Sequence, residues 1–337
     1  MTFVPNRVYF DEAALEYSRG RKIMKRIKAE GVSDITRMSP KGRVTGIPGE
    51  NPQQAYREGK KTLVVRIRKK LKFQTCRPSA DYMLPLNSGC PGKCEYCYLA
   101  TRFGPKPYIT IYVNTEEILE RAEDYIQDNT PEITSFEGAA ASDPVPMERY
   151  SDVLADTIEY FAAHELGRFR FVTKFTEIDR LLDLEHNKKT EFRFSLNTDY
   201  VVHKFEHATP SVSERLKAAK KVKKAGYPLG FLIAPVLAVE DWKDTYSKLM
   251  KQISKTVGDG VAFEIITHRF TEAARRRILE VFEETALPME EKDRKYRHGK
   301  FGYGKYVYPS EVFDEIEEFL NDAVEEFFDG ATISYLV

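Results

Sequence analysis

Three of the four cysteines in this chain, Cys90, Cys94 and Cys97, lie in one short stretch, separated by three and then by two residues. Cysteine thiolates are the ligands that iron–sulfur clusters and other soft metals select. Three protein ligands leave one iron of a four-iron cluster open, so a small molecule can bind that iron and react there. The residue types and their spacing therefore predict a metal cofactor that performs chemistry on a bound molecule.

A structural zinc site is the alternative that the cysteines leave open. Such a site usually has four ligands, often arranged as two C-x2-C pairs. The remaining cysteine, Cys76, lies well before the cluster of three, and the six histidines are scattered along the chain. A zinc site that includes Cys76 stays open, but an iron–sulfur cluster fits the spacing better.

The pattern of apolar residues indicates the elements that position this stretch. An apolar run over 82–86 precedes it, and the glycines and prolines of 87–92 indicate a loop that can wrap around a ligand. Further apolar runs alternate with segments of helical period, at 109–113, 133–138, 169–173, 192–197, 230–236 and 261–267. Strand–helix alternation predicts a parallel sheet that curls into a barrel. We predict an α/β fold, a partial (β/α)6-type barrel with functional residues at the C-terminal ends of its strands.

The chain divides into three predicted parts. Residues 1–80 form a basic N-terminal extension that contains a helix over 8–30, with Asp11 as its N-cap. Residues 81–285 form the barrel. Residues 286–337 form a C-terminal segment with an aromatic hairpin, an amphipathic helix over 309–328 and a final strand over 331–337.

Charge is distributed unevenly, although the net charge of the whole chain is zero. Residues 1–80 contain 19 Lys and Arg against 7 Asp and Glu. A basic segment of this kind favours a polyanionic partner such as DNA. A solvated basic surface without a partner explains the same charges, and both interpretations remain open.

Composition places the chain among folded proteins, with 42% hydrophobic and 31% charged residues. No apolar run reaches the roughly 18 residues that a membrane helix needs, and the N-terminus lacks the layout of a signal peptide. Clustered cysteines in so long a chain indicate metal binding in a reducing compartment. We therefore expect a cytoplasmic protein with no membrane partner.

The cysteine motif, an aromatic residue before its last cysteine and the preceding strand resemble the radical S-adenosylmethionine (SAM) superfamily. This resemblance implies that Cys90, Cys94 and Cys97 hold a [4Fe–4S] cluster. SAM then binds the open iron through its amine and carboxylate, and its reductive cleavage provides a 5′-deoxyadenosyl radical. The resemblance also implies that Tyr96 packs near the adenine of SAM.

Five further residues are expected in the SAM pocket, from the resemblance and from their positions at strand ends. Ser142 is expected to bind the SAM carboxylate, Lys174 a carboxylate or the ribose, and Ala234 the adenine side. Ser195 and Asn197 end the run over 192–197. Each of the five is also explained as an ordinary polar or packing residue at a strand end, and their shared edge of the barrel favours the functional interpretation.

Within the superfamily, almost the whole chain resembles the spore photoproduct lyase family. The resemblance rests on the basic extension, on Ser-Gly-Cys-x3-Cys-x-Tyr-Cys-Tyr-Leu, on the Glu-Gly-Ala-x-x-Ser-Asp segment and on the aromatic, basic C-terminal part. It implies repair of a methylene-bridged thymine dimer in DNA. The radical removes the C6 hydrogen, the bridging bond breaks, and a hydrogen atom returns to the thymine methyl radical. A monomer that receives electrons from a flavodoxin or ferredoxin is expected.

One position departs from the family pattern. The family has a cysteine as hydrogen donor in the Glu-Gly-Ala-x-x-Ser-Asp segment, where this chain has Ala140. A methyl group has no weak S–H bond to give, so the return of hydrogen is expected to be impaired. The resemblance implies that Tyr98, together with Tyr96, relays hydrogen atoms back towards SAM.

The segment before the last helix contains the residues expected to contact DNA: Lys300, Tyr303, Lys305 and Tyr306. Their aromatic and cationic side chains are suited to the space that a flipped-out lesion leaves in the stack. A surface hairpin with partly buried tyrosines is the simpler explanation. Two other functions stay open, another radical SAM enzyme that acts on nucleic acid or peptide and a zinc-containing nucleic-acid-binding protein.

Overall fold

The computed structural model describes residues 2–39, 42–298 and 304–337. Its strands are β1 (Arg7–Asp11), β2 (Ile35–Met38), β3 (Thr62–Arg66), β4 (Thr75–Cys76), β5 (Ala80–Met83), β6 (Asn87–Ser88), β7 (Lys93–Cys94), β8 (Ile109–Tyr112), β9 (Thr134–Glu137), β10 (Gly167–Thr173), β11 (Thr190–Leu196), β12 (Glu206–His207), β13 (Leu229–Val236), β14 (Ala262–Thr267), β15 (Lys295–His298), β16 (Gly304–Val307) and β17 (Thr332–Leu336). Helices connect most of them. The α-helices are α1 (Ser18–Ala29), α2 (Pro52–Lys60), α3 (Leu99–Arg102), α4 (Thr115–Asn129), α5 (Val145–Ser151), α6 (Val153–Ala162), α7 (Asp199–Phe205), α8 (Val212–Lys224), α9 (Trp242–Val257), α10 (Glu272–Val281) and α11 (Ser310–Phe327).

The larger sheet is a half-barrel. Its order is β17-β14-β13-β11-β10-β9-β5-β4, and the six strands from β14 to β5 run parallel to their neighbours. Buried side chains of the strands, such as Phe136, Phe171 and Phe194, pack in one core with Ile118 of α4 and Ile158 of α6. Burial of each such side chain stabilises the fold by about 1.5–3 kcal/mol. The predicted partial (β/α)6 barrel is confirmed.

The second sheet joins the N-terminal extension to the barrel region. Its order is β2-β1-β3-β8-β6, with β8 parallel to β3 and antiparallel to β6. The apolar run over 109–113 therefore forms a strand, but the prediction that it belongs to the barrel is wrong. A fully buried strand has the same apolar pattern in either sheet, so the local sequence does not specify which sheet it enters. The division of the chain at residue 80 stays a prediction.

The predicted helix over 8–30 is wrong in its first part. Residues 7–11 form β1, because buried Val8 and Phe10 pair with strands on both sides. Asp11 accepts a hydrogen bond from the Ala13 backbone N–H at 3.2 Å and caps the short 3-10 turn Glu12–Glu16. The α-helix itself begins only at Ser18. Tertiary strand pairing has overridden the local helical pattern here.

Several basic residues of the extension are bound to acidic residues of the barrel region. Arg19 is 8% exposed and forms ion pairs with Glu116 and Asp156, at 2.9 and 2.7 Å. Lys22 and Arg26 both contact Asp152, at 2.5 and 2.9 Å. Part of the basic excess therefore stabilises the packing of α1 against α5 and α6 and is not available to a polyanion.

The C-terminal segment folds largely as its pattern predicts. β15 and β16 form an antiparallel hairpin, α11 packs on α9, and β17 adds to the edge of the half-barrel beside β14. Ile316 and Leu320 of α11 are fully buried. None of the described helices combines the length and the apolar composition needed to cross a membrane.

Candidate active site

The loop that contains the three cysteines is attached to the barrel mouth, by which we mean the C-terminal ends of β9, β10, β11 and β13. Gly89, the residue before Cys90, forms a parallel bridge with Ser142 in the loop that follows β9. Gly89 has φ of +80°, and a β-carbon there would lie 2.7 Å from the Tyr108 carbonyl oxygen. Only glycine fits this turn, so the chain enters the cysteine loop in one fixed direction.

Contacts from distant parts of the chain hold the cysteine loop. The Lys60 Nζ atom, on a side chain that is 2% exposed, donates a 2.8 Å hydrogen bond to the Cys90 carbonyl. Strand β7, which ends at Cys94, pairs antiparallel with β12, so that Cys94 lies opposite Glu206. The Glu95 backbone N–H donates to the Phe205 carbonyl at 2.9 Å. The positions of the thiols are therefore set by the fold as well as by the loop sequence.

The donor set fits an iron–sulfur cluster. Cys94 is buried, Cys90 and Cys97 are half-buried, and all three are free thiols. The Gly92 backbone N–H donates to the Cys90 sulfur at 3.3 Å, a contact of the kind that tunes cluster potentials. Among the described residues, no group of three or more His, Cys, Asp or Glu side chains converges on a single metal ion. Thiolates of a four-iron cluster each bind a different iron, so the cluster does not require them to converge on one point.

A buried charged network lies beside the loop. Lys174, which follows β10, donates to Glu206 at 2.7 Å, to the Ser195 hydroxyl at 3.0 Å and to the Tyr96 oxygen at 3.2 Å. Arg215 donates to the second Glu206 oxygen at 2.6 Å, and the Tyr96 hydroxyl donates to the first. The side chains of Arg215 and Glu206 are completely buried. Three of the predicted site residues, Tyr96, Lys174 and Ser195, are therefore brought together around one carboxylate.

The two cations keep the central carboxylate ionised. Burial by itself would raise the pKa of Glu206, but the charges of Lys174 and Arg215 outweigh it and lower this pKa to about 2. Burial, followed by the charge of Glu206, raises the pKa of Tyr96 well above its usual value. Tyr96 therefore stays a neutral hydrogen-bond donor, and its ring has a fixed orientation at the barrel mouth.

The other predicted SAM contacts differ in how accessible they are. Ser142 is 7% exposed and donates to the Asn87 side chain at 2.8 Å. Asn197 is fully buried, with its nitrogen donating to the Pro235 carbonyl at 2.7 Å and its oxygen accepting from Tyr246 at 2.8 Å. Ala234, in β13, is half-buried. Ser142 and Ala234 lie at the barrel mouth. The amide of Asn197, in contrast, is used by its hydrogen bonds to Pro235 of β13 and Tyr246 of α9.

Position 140 lies next to Tyr98. The Tyr98 hydroxyl donates to the Ala140 carbonyl, although the residue as a whole is 57% exposed. Burial of this hydroxyl raises the pKa of Tyr98 to about 12, and the charges of Cys97 and Cys76 also contribute. Gly138, two residues before Ala140, would place a β-carbon 2.8 Å from the Phe169 ring. The segment after β9 therefore needs a residue without a side chain where it passes the barrel interior.

Arginine and glutamate side chains fill the interior below the barrel mouth. Arg193 of β11 donates to Glu137 of β9 and to Glu264 of β14, and all three are at most 3% exposed. Arg170 of β10 also donates to Glu264. Ser79 donates to Glu137 at 2.8 Å and accepts from Arg193 at 3.1 Å. These ion pairs connect strands across the half-barrel. Through Ser79, they also hold the turn between β4 and β5 against the interior of the half-barrel.

Sequence reasoning missed Lys60, Glu206 and Arg215. Arg215 had a detectable signal, because it occupies the same face of α8 as Val212, Leu216 and other buried apolar residues. A charged residue on an apolar stripe indicates a buried ion pair. Lys60 and Glu206 reach the site through contacts between distant parts of the chain, so no local pattern marks them.

The family model of spore photoproduct lyase matches residues 3–337. The chain belongs to the spore photoproduct lyase family. The spore photoproduct lyase of Clostridium acetobutylicum is 48% identical over 332 residues, 98% of each chain. That of Bacillus subtilis is 43% identical over 337 residues, 99% of this chain and 98% of the relative. A solved double mutant of spore photoproduct lyase, with bound AdoMet and dinucleoside spore photoproduct, is 43% identical, with a TM-score of 0.97 and full coverage of both chains.

In this member of the family, the two described hairpin residues with predicted DNA contacts have different environments. Tyr306 stacks on Phe270 with ring centroids 5.2 Å apart, exchanges backbone hydrogen bonds with it and donates to Glu291 at 2.8 Å. Lys305 is half-buried. Tyr306 therefore anchors the hairpin to the barrel. Lys300 and Tyr303 lie outside the described residues.

Proposed function

We propose that this protein is a radical SAM lyase that converts spore photoproduct, the methylene-bridged thymine dimer, into two thymines. The observation that carries the proposal is the position of the cysteine loop, held at the barrel mouth beside Lys174 and Ser195. A relative with the same fold over its full length, solved with AdoMet and dinucleoside spore photoproduct, supports the same cofactor and substrate here.

Cys90, Cys94 and Cys97 hold a [4Fe–4S] cluster in this proposal. When bound, the cluster and SAM supply a 5′-deoxyadenosyl radical that removes the C6 hydrogen of the dihydrothymine half. The chain positions the cluster, because Lys60 holds the cysteine loop at Cys90 and β12 holds it at Cys94.

The proposed SAM contacts are Tyr96, Tyr98, Ser142, Lys174, Ser195, Asn197 and Ala234. Lys174 already donates three hydrogen bonds, so a contact with SAM replaces one of them. Asn197 acts indirectly, because its amide is bonded to Pro235 and Tyr246.

The resemblance to the family implies that the last step of the reaction takes place beside position 140. The carbon–carbon bond of the methylene bridge breaks, and a hydrogen atom must return to the thymine methyl radical. Ala140 has no S–H bond, so we expect the return of this hydrogen atom to be impaired. Tyr98 donates to the Ala140 carbonyl and is proposed, with Tyr96, as the hydrogen relay.

Access to a lesion in duplex DNA requires base flipping, which costs a few kcal/mol and least for a damaged base. The basic extension and the hairpin residues Lys300, Tyr303, Lys305 and Tyr306 are the proposed DNA contacts. A cytoplasmic monomer that receives electrons from a flavodoxin or ferredoxin also remains a prediction.

Anaerobic purification followed by one incubation tests the proposal. We expect a brown protein with iron and sulfide that converts dinucleoside spore photoproduct to thymines in the presence of SAM and a reductant, as read by mass spectrometry. An iron–sulfur protein that cleaves SAM but leaves spore photoproduct intact would point to another radical SAM reaction. A colourless zinc protein would exclude radical chemistry altogether.

A further inference from the structure

Tyr56, in helix α2 of the N-terminal extension, has a buried hydroxyl that the protein itself does not satisfy. The residue is 1% exposed, and its hydroxyl has no hydrogen-bond partner among the described residues. Folded proteins pair nearly all of their buried polar groups, because leaving one unpaired costs free energy. The Tyr56 hydroxyl therefore needs a partner that the described chain does not provide.

The packing of α2 places the Tyr56 ring beside the cysteine loop. The Lys60 Nζ atom lies 5.4 Å from the centroid of this ring, and it also donates the 2.8 Å hydrogen bond to the Cys90 carbonyl. On another side, the ring makes an edge contact with Phe282, with centroids 5.5 Å apart. One lysine thus contacts both the tyrosine ring and the first residue of the cysteine motif, and the ring has a fixed position between them.

The charges that act on the Tyr56 hydroxyl agree with this position. Burial raises the pKa of Tyr56 well above its ordinary value, and the charges of Cys97, Cys94 and Cys90 raise it further. The charge of Arg277 acts in the opposite direction and has a smaller effect. Because the interaction between two charges weakens with their separation, the hydroxyl lies near all three thiols and not beside only one of them.

The other two tyrosines beside the loop differ from Tyr56 in this respect. The Tyr96 hydroxyl donates to Glu206, and the Tyr98 hydroxyl donates to the Ala140 carbonyl. A purely structural role explains why an aromatic ring fills the space in front of Phe282, but a phenylalanine at position 56 would fill it equally well. The free hydroxyl is the feature that a structural role does not explain.

We propose that the Tyr56 hydroxyl donates a hydrogen bond to a sulfur of the [4Fe–4S] cluster, either a cysteine thiolate or an inorganic sulfide, and thereby raises the reduction potential of the cluster. This inference rests on the proposed function, and specifically on the cluster that the three cysteines hold. An added electron makes the cluster sulfurs more negative, so a hydrogen bond to them stabilises the reduced cluster more than the oxidised one. The N-terminal extension then takes part in the electron transfer that starts the reaction.

The first test is a redox titration of the cluster in Tyr56→Phe, followed by electron paramagnetic resonance on anaerobic holoenzyme without SAM or substrate. At a fixed solution potential, the ratio of reduced to oxidised cluster should fall by about tenfold, because one charge-assisted hydrogen bond is lost. This ratio corresponds to a reduction potential that is lower by about 59 mV for a one-electron couple.

Tyr150→Phe is the matched control. Tyr150 is also 1% exposed, but its hydroxyl donates to the Phe3 carbonyl at 2.9 Å, within the core of the extension. The Tyr150→Phe holoenzyme should have the reduction potential of the wild-type chain.

A second test uses the cluster-free proteins, in which a cluster-bonded hydroxyl loses its partner. Cluster-free Tyr56→Phe should unfold at the same denaturant concentration as cluster-free wild type or at a higher one, because removing an unpaired buried hydroxyl removes a cost. Cluster-free Tyr150→Phe should unfold at a lower concentration, because its hydrogen bond lies within the protein. A Tyr56→Phe chain that is destabilised like Tyr150→Phe, or that does not fold without a cluster, would overturn the inference.

A spectroscopic measurement identifies the hydrogen bond itself. Electron–nuclear double resonance of the reduced cluster, recorded in H2O and in D2O, detects exchangeable protons close to the sulfurs. Tyr56→Phe should lose one such proton signal that the wild type and Tyr150→Phe both show.

These outcomes separate the inference from the function on which it rests. An unchanged potential in Tyr56→Phe, or a full set of exchangeable-proton signals, would overturn the role of Tyr56 and leave the proposed function standing. A shifted potential in a holoenzyme that does not convert spore photoproduct would support the hydrogen bond and overturn the proposed lyase. A zinc protein without iron would overturn both.

Discussion

Two sides of the barrel mouth differ in how completely their side chains are bonded. On the side of the cysteine loop, Tyr96, Lys174 and Arg215 all contact the buried carboxylate of Glu206. On the side of Ala140, Tyr98 is 57% exposed and makes one hydrogen bond to a backbone carbonyl. The side chains of the first side are held in place by one another, as a preorganised site for the proposed cofactor requires. The second side is more open, and it contains Ala140, where we expect the family's hydrogen donor to be missing.

The largest effect is expected from a cysteine of the first side. Cys94→Ser removes a buried thiol opposite Glu206, one of the three proposed cluster ligands, and a cluster that loses one of three thiolates should not hold SAM productively. We expect iron content to fall sharply and SAM cleavage to fall by about 100-fold or more. Iron analysis and the visible absorbance of anaerobic protein measure the first effect, and 5′-deoxyadenosine formation measures the second.

Cys76→Ser is the matched control for this change, because it removes the one cysteine that lies outside the loop. It should keep the iron content of the wild-type chain. If Cys76→Ser lost as much iron as Cys94→Ser, a metal site that includes Cys76 would be favoured.

The next largest effect is expected from the carboxylate that holds the first side together. Glu206→Gln leaves Lys174 and Arg215 with a neutral partner in a buried site, which should lower the free energy of unfolding by about 3–5 kcal/mol. Because the folded pKa of Glu206 is lowered to about 2, its contribution is complete above the unfolded value near 4.3 and is lost as the pH falls towards 2. Denaturant unfolding at several pH values measures this.

Glu214→Gln is the control for Glu206→Gln. Glu214 forms a capping box with Ser211 at the exposed start of α8, so its loss should cost at most about 1 kcal/mol. A difference between wild type and Glu206→Gln that stayed constant from pH 7 down to pH 2 would contradict an ionised, paired Glu206.

The two sides also differ in what the sequence could predict. The three cysteines are close in the chain and the barrel strands have a local pattern, so the cofactor loop and the half-barrel were predictable. Glu206 and Lys60 reach the loop through strand pairing and through packing of α2, and no local pattern records such contacts. The local sequence also does not determine that β5 lies between β4 and β9, which places Cys76 at the edge of the half-barrel.

A smaller effect is expected from the hydroxyl on the second side. Tyr98→Phe keeps the ring but removes the hydrogen bond to the Ala140 carbonyl and the proposed relay. We expect iron content to stay at the wild-type value and the rate of thymine formation to fall roughly five- to tenfold. Tyr200→Phe, at a tyrosine that is 48% exposed on α7, should change neither quantity. Equal losses in both variants would contradict a specific role for the Tyr98 hydroxyl.

The smallest effects are expected outside both sides, at the hairpin. Replacing Lys300, Tyr303, Lys305 and Tyr306 by alanine should weaken binding to damaged duplex more than turnover of the free dinucleoside. Lys305→Ala alone should reduce the slope of log affinity against log salt by about 1, as for one phosphate contact. Tyr306→Ala should also loosen the hairpin, because its ring stacks on Phe270. Equal losses on duplex and dinucleoside would count against a hairpin that contacts DNA.

The proposed function requires the side with the cysteine loop and the side with Ala140 to act together at one barrel mouth. The most direct measurement is mass spectrometry of dinucleoside spore photoproduct after incubation with SAM, a reductant and the anaerobic wild-type holoenzyme, beside the same incubation with Cys94→Ser. We expect repaired thymines together with 5′-deoxyadenosine in the wild type, and neither product with Cys94→Ser. Intact spore photoproduct in a wild-type sample that contains a full iron–sulfur complement and has cleaved its SAM would contradict it.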